Sequence, residues 1–249
     1  MRQRAEKIEK VLAAAGICSR KKAGELIRLG LVKLDGRVLD DPAVRVDPQT
    51  QVLEYCGERV HPAAETPSCL LLYKIAGFVT SASDPHNKRT VYDLLPEHER
   101  DRNRWLYVGR LDRDSEGLLL FTDSGDLAHR LTHPSFKVPK RYRVEVEGRP
   151  EASLLKPLTE GLTVDGRKMR MDRVRVLRSG KNSGTLEVTL HQGEKRQVKR
   201  MLGQLGFKVA ALLRTHFGPL TLKGLEPGGC RRLSRREVVS LLESGEARQ

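Results

Sequence analysis

The run "EGLLLFT", residues 116–122, constrains the fold more than any other stretch. Gly117 to Phe121 is almost purely apolar, and charge crowds the approach to it: Arg110, Asp112, Arg113, Asp114 and Glu116. A short apolar run behind a polar turn fits a strand buried within a sheet, since a strand with one wet face alternates instead. The approach raises its own question. Arg110 and Arg113 bracket Asp112 at the edge of that strand, which is the pattern of a charged turn and equally of an active site.

Other segments carry related signals. "KRYRVEVEG" alternates Tyr142, Val144 and Val146, and "GTLEVTLHQG" alternates Leu186, Val188 and Leu190, so both read as half-buried strands. "CLLLYKIAGFVTS" predicts a buried strand turning at Gly77, and "WLYVGRLD" and "FKVAALLRTHFG" predict two more. Helices are expected over "SGDLAHRLTH", stopped before Pro134, and over "EKRQVKRMLGQLG", with Val198, Met201, Leu202 and Leu205 apolar and Gly206 as the stop. "SRREVVSLLES" adds a third, opened by a Ser234–Glu237 capping box. Upstream, Ile8, Val11, Leu12 and Ala15 mark an amphipathic helix ending at Gly16, and Ser19 is placed to cap a second helix. Asp35-Gly36 is a hairpin turn. This order predicts an α+β chain in two parts. A small two-helix-plus-hairpin unit spans 1–60, "HPAAETP" (61–67) is the linker, and 68–249 builds a larger domain on a mostly antiparallel mixed sheet.

The 249 residues hold 46 Lys and Arg against 32 Asp and Glu, a formal net charge of +14. That excess favours a polyanionic partner, most commonly nucleic acid. Aromatic residues are only 4%, so a platform of stacking aromatics is not expected. The four cysteines form no Cys-x-x-Cys pair, which argues against a zinc site or a disulfide framework. No apolar run approaches the roughly 20 residues of a membrane span, and the N-terminus lacks a signal-peptide core. A cytoplasmic protein without membrane association is expected.

Spacing around Asp112 leaves several chemistries open. If 110–116 were extended, Arg110, Asp112, Asp114 and Glu116 would share one face, inviting a divalent-metal reading or a glycosidase-like carboxylate pair. Spacing alone favours a salt-bridged turn. "GEKRQVKRM" gathers Lys195, Arg196, Lys199 and Arg200 within two helical turns, where like charges repel unless an anion compensates them. Arg167, Lys168, Arg170, Arg173, Arg175, Arg178 and Lys181 face only Asp172 along 167–181, a footprint suited to phosphates. Arg20, Lys21 and Lys22 open the second N-terminal helix, with Arg28 following. Cations at a helix start, beside free N–H groups, suit a phosphate backbone. His129 and His133 have zinc spacing but no third ligand, so they read as packing residues.

Two resemblances add to this reading. "SRKKAGELIRLGLVKLDGRVL" is similar to the small RNA-binding domain named after ribosomal small-subunit protein four. "VGRLDRDSEGLLLFTDSGDLAHRLTHP" resembles the signature of bacterial rRNA pseudouridine synthases of the RsuA/RluB group. "KRYRVEVEG", "GEKRQVKRMLGQLG" and "LLRTHFGPLTLKGLEPGGCRRLS" follow in that group's order, with Ile75 where relatives usually carry Pro and "HQ" where many carry a carboxylate before the Gly. The resemblance implies that one rRNA uridine is flipped into a pocket and isomerised, with Asp112 as the catalytic carboxylate. It implies Lys199 as the cation that keeps Asp112 ionised, with Arg196 the second choice, and Tyr142 stacking on the uracil. Arg110 would hold the flipped nucleotide's phosphate or its vacated space, and Leu213 would wall the pocket. Ser19, Arg20, Lys21, Lys22, Arg28, Lys195 and Arg200 would meet RNA. No metal or cofactor is implied. Large-subunit (23S) rRNA, free or in a pre-ribosomal particle, is the expected substrate of a monomer. The alternatives are small-subunit (16S) rRNA, a non-catalytic ribosome-assembly factor and a nucleoside glycosidase.

Overall fold

The computed structural model describes residues 5–244 apart from 16, 19, 49, 62–66, 86–88, 103 and 192. The expected stop at Gly16, the cap at Ser19 and most of the expected linker lie outside the described residues. The chain begins with β1 (Glu6–Lys7), α1 (Ile8–Ala14), α2 (Arg20–Arg28), β2 (Val32–Leu34), β3 (Arg37–Val38), β4 (Arg45–Val46), β5 (Leu53–Tyr55) and β6 (Glu58–Arg59). Strands β3-β2-β5-β6 form one small sheet, and β1 pairs with β4. The apolar stripes of the two helices close over it: Ile8, Leu12, Ala23 and Ile27 pack with Val32, Val46 and Leu53 in one core. The β2–β3 turn is the one its residues demand, with Asp35 and Gly36 both at positive φ, 49° and 80°.

The rest of the chain supplies β7 (Cys69–Lys74), β8 (Leu106–Val108), β9 (Glu116–Thr122), α3 (Gly125–Thr132), β10 (Lys140–Glu147), α4 (Ala152–Glu160), β11 (Leu162–Val164), β12 (Arg167–Met169), β13 (Arg173–Ser179), β14 (Ser183–Leu190), α5 (Gln197–Gln204), β15 (Val209–Phe217), β16 (Leu220–Thr221), β17 (Cys230–Arg232) and α6 (Arg235–Ser244). A nine-stranded sheet runs β13-β14-β10-β15-β9-β7-β17, with β16 on β15 and β8 on β9. Its pairings are antiparallel except β9 with β15, where only Leu213–Glu116 and Arg214–Gly117 are in register.

Strand β9 is apolar because both its faces are covered. Leu118 and Leu120 meet Leu71, Leu127 and Leu131 of the α3 side and Val238 and Leu241 of α6. Leu119 and Phe121 meet Leu70, Leu72, Tyr92 and Trp105 on the other face. All four β9 side chains are fully buried, which stabilises the fold by about 1.5–3 kcal/mol each. In β10 the expected alternation holds: Tyr142, Val144 and Val146 turn inward onto Leu155 and Leu158 of α4 and Met201 and Leu202 of α5. The capping box of α6 also forms, Ser234 N donating to Glu237 Oε2 at 2.9 Å and Glu237 N to Ser234 Oγ at 3.4 Å.

Two elements are shorter than their patterns suggest. The "WLYVGRLD" strand stops at Val108, where Gly109 takes φ +69°, so Arg110 to Ser115 form a turn rather than an extended face. Helix α5 starts at Gln197, with Arg196 in the left-handed region at φ 54°, so Lys195 and Arg196 precede the helix instead of riding on it.

Candidate active site

The turn leading into β9 is pinned from beneath. Lys74, at the end of the apolar β7, has no exposed surface, and its Nζ donates to the carbonyls of Asp112 (3.0 Å), Ser115 (2.7 Å), Ile75 (3.2 Å) and Arg113 (3.4 Å). Burial pushes the Lys74 ammonium down to about 8, against the pull of Glu116, Asp114 and Asp112. Thr80 Oγ1 donates to Leu111 O at 2.8 Å, Gly77 N to Arg113 O at 2.8 Å and Ser115 N to Asp112 O at 3.1 Å. With its carbonyls held on every side, the Asp112 backbone cannot drift, and the half-buried carboxylate is presented at a fixed point. Neither Lys74 nor Thr80 figured among the expected site residues. A lysine closing the run "CLLLYK" was the available signal, because a buried cation needs several acceptors to be tolerated.

Asp112 opens onto a cavity of about 260 Å³. Arg110, Leu111 and Asp112 form one side, Tyr142 and Leu212 of the sheet another, and Lys195, Arg196 and Val198 the third. Tyr142 is only 8% exposed, so its ring is held by the core while it lines the cavity. Arg196 Nη1 lies 3.9 Å from Asp112 Oδ2 and 3.2 Å from Asp114 Oδ2. Lys199 Nζ pairs with Asp114 Oδ1 at 2.7 Å. Burial alone pushes the Asp114 carboxyl up, but the Lys199 ammonium and the Arg196 guanidinium outweigh it and hold its pKa below the usual range.

The structure therefore brings together Arg110, Asp112, Tyr142, Lys195 and Arg196 and rearranges the others. Lys199, expected beside Asp112, is engaged by Asp114 instead, since the turn points the two carboxylates differently. Arg196 is the cation nearer Asp112. Arg200 faces away, with Nε and Nη2 on Asp165 Oδ2 at 2.9 and 2.5 Å. Leu213 does not line the cavity; Leu212 does. The register explains the difference, since Leu212 stands opposite the inward Val144 and Leu213 opposite the exposed Arg143. Arg20, Lys21, Lys22 and Arg28 are exposed on α2. Arg20 Nη2 lies 3.5 Å from Asp126 at the start of α3, and Lys10 Nζ lies 2.6 Å from the same carboxylate, so the N-terminal unit touches the larger one there. Ser19 lies outside the described residues. Among the described residues no three His, Cys, Asp or Glu side chains gather as a metal cage, and no helix is long and apolar enough to cross a membrane.

A half-buried carboxylate on a pinned turn thus faces a cavity with an aromatic wall and flanking cations, carried on the mixed sheet. Residues 68–204 match the family model for RNA pseudouridylate synthase, and residues 6–52 match that for the S4 domain. The chain belongs to the RNA pseudouridylate synthase family. It is 37% identical to an RNA pseudouridine synthase of Aquifex aeolicus, over 96% of this chain and 94% of that one. It is 36% identical to the ribosomal large subunit pseudouridine synthase B of Bacillus subtilis, over 95% of each. A crystal structure of a pseudouridylate synthase superposes with a TM-score of 0.65 at 27% identity, covering 95% of this chain and all of that one. The chain is thus an isomerase acting on RNA, with an S4 RNA-binding domain at its N-terminus.

Proposed function

We propose that the enzyme converts one uridine of large-subunit rRNA to pseudouridine, with Asp112 as the catalytic carboxylate. The observation that carries this reading is the pinned turn, which sets Asp112 at a cavity walled by Tyr142 and Arg196. At about 260 Å³, the cavity falls just under the roughly 300–1,000 Å³ of drug-sized sites, a scale that takes one base flipped out of its stack. Tyr142 offers the uracil a π face without demanding sequence. Arg196 supplies the positive charge beside the Asp112 carboxylate, and Lys199 joins it through Asp114. Arg110, exposed at the rim, meets the flipped nucleotide's phosphate. In the reaction the bond from uracil N1 to ribose C1′ breaks, the base turns in place, C5 joins C1′, the C5 proton leaves and N1 takes up a proton. The balance is redox-neutral and keeps every heavy atom, so it calls for no cofactor.

The name of the Bacillus subtilis relative supports large-subunit rRNA as the substrate. The separate apolar cores support two units, 1–60 and 68–249, joined through 61–67, with the first holding RNA by α2. We read the protein as a cytoplasmic monomer acting on rRNA or a pre-ribosomal particle. The test uses rRNA labelled with tritium at uridine carbon 5. Asp112→Asn is expected to abolish tritium release while RNA binding stays near normal, and undiminished release would sink the assignment. A pseudouridine map of rRNA with and without the gene is expected to lose one large-subunit site.

A further inference from the structure

A second cleft, of about 400 Å³, adjoins the Asp112 cavity on the far side of Arg196. It lies between α5 and the start of β15. Arg196 and Lys199 line it from one side and Lys208 from the other, with Phe207 and Val209 as an apolar floor. Arg196 lines both spaces and is the side chain between them. No carboxylate is among the residues lining the cleft. The acids that balance its cations lie outside it: Asp114 serves both Arg196 and Lys199, and Glu147 pairs with Lys208 at 2.6 Å. Asp112 also lies 3.9 Å from Arg196, so the acids that pair with these cations all reach them from outside the cleft. The Lys208–Glu147 pair is highly exposed on both sides, and such a pair yields readily to a competing anion.

The rim of the cleft is open. Gly203, on the exposed face of α5, has no heavy atom within 4 Å of where a Cβ would stand. A chain laid across α5 there meets main chain and cations with nothing projecting between them.

We propose that this cleft is a subsite for the sugar-phosphate backbone of the nucleotide next to the flipped uridine, held by Arg196, Lys199 and Lys208. It rests on the reading that the uridine enters the Asp112 cavity. A strand whose base has been turned out must continue past the cavity rim, and Arg196 borders both spaces. Recognition there is by charge and reads no base, so the subsite positions RNA without selecting sequence. As RNA enters, its phosphate takes over from Asp114 and Glu147 as the counter-ion.

The test is Gly203→Glu in the full chain. Glutamate is a better helix former than glycine, and its Cβ meets open space, so the fold is retained while a carboxylate projects over the cleft. Tritium release is followed with a mixture of 16S and 23S transcripts labelled at uridine carbon 5. Loss of one charge-assisted phosphate contact corresponds to roughly a tenfold rise in KM, with kcat unchanged. The slope of log affinity against log salt is expected to become shallower by about 0.7 for each phosphate displaced. Gln204→Glu puts the same charge one residue further, outside the cleft, and is expected to behave as wild type. Lys208→Ala is expected to raise KM in the same direction, and Lys208→Arg to restore it. Equal KM for Gly203→Glu, Gln204→Glu and wild type would overturn the subsite, as would a loss confined to kcat. Failure of the Asp112 reading shows separately, as tritium release by Asp112→Asn.

Discussion

Gly117→Ala is the substitution whose cost is most fully set by geometry. Gly117 stands at the head of β9 with φ +110°, paired with Lys74 of β7 on one side and Arg214 of β15 on the other. A Cβ there would lie 2.6 Å from Arg214 N and 2.9 Å from Arg214 C, and closer still to Arg214 O. The obstacle is the main chain of a central strand, which cannot rotate aside as a side chain would. Holding alanine at that φ costs about 1–3 kcal/mol, and shifting the packed strand costs about 1–3 kcal/mol more. The sum, about 2–6 kcal/mol, is a large part of the roughly 5–15 kcal/mol that holds a typical domain folded. In a domain of this size each kcal/mol moves the melting midpoint by about 2–4 °C, so a fall on the order of 10 °C is expected. Gly203→Ala is the comparison: it lies in a helix with open space around it, and is expected to gain about 0.5–1 kcal/mol. Calorimetry and urea titration measure both. Surviving Gly117→Ala protein is also expected to lose kcat, because the Asp112 turn runs directly into β9. Melting at the wild-type temperature with full tritium release would refute the steric argument.

Two further outcomes follow from the site. Lys74 and Lys140 have pKa values lowered by burial to about 8, against about 10.4 in an unfolded chain. Between those limits the unfolded chain binds more protons, so unfolding free energy rises with pH, by at most about 1.4 kcal/mol per pH unit for each lysine. Lys74→Met is expected to flatten that rise in urea midpoints measured from pH 8 to 10, and an unchanged slope would contradict the burial argument. Leu212→Ala is expected to cost about 2–5 kcal/mol and to lower tritium release by loosening the cavity wall. Leu213→Ala, on the other face, is expected to leave turnover intact, as thermal melts and the tritium assay will show.

Much of the architecture was legible residue by residue. The apolar run of β9, the alternation of β10 and β14, the Asp35-Gly36 turn and the Ser234–Glu237 cap each follow from rules that act over a few neighbours, and each is present. The order of segments was enough to suggest the family and to point to Asp112. Side-chain partnership was harder to read. Spacing favoured a turn around Asp112, though the strand before it read as far as Asp112; Gly109 ends that strand early, and Lys74, thirty-eight positions before Asp112, gathers the carbonyls of the turn. The turn sends Asp114, not Asp112, to Lys199. Leu212 replaces Leu213 because the pairing of β15 with β10 decides which leucine faces inward. Periodicity and turn chemistry are properties of the local chain, so the sequence by itself determined the elements and the sheet class, and the order of its motifs, through the family resemblance, singled out the candidate carboxylate. Which cation meets which acid, and which face a residue shows, depends on strand register and long-range contacts, and only the tertiary structure decided those.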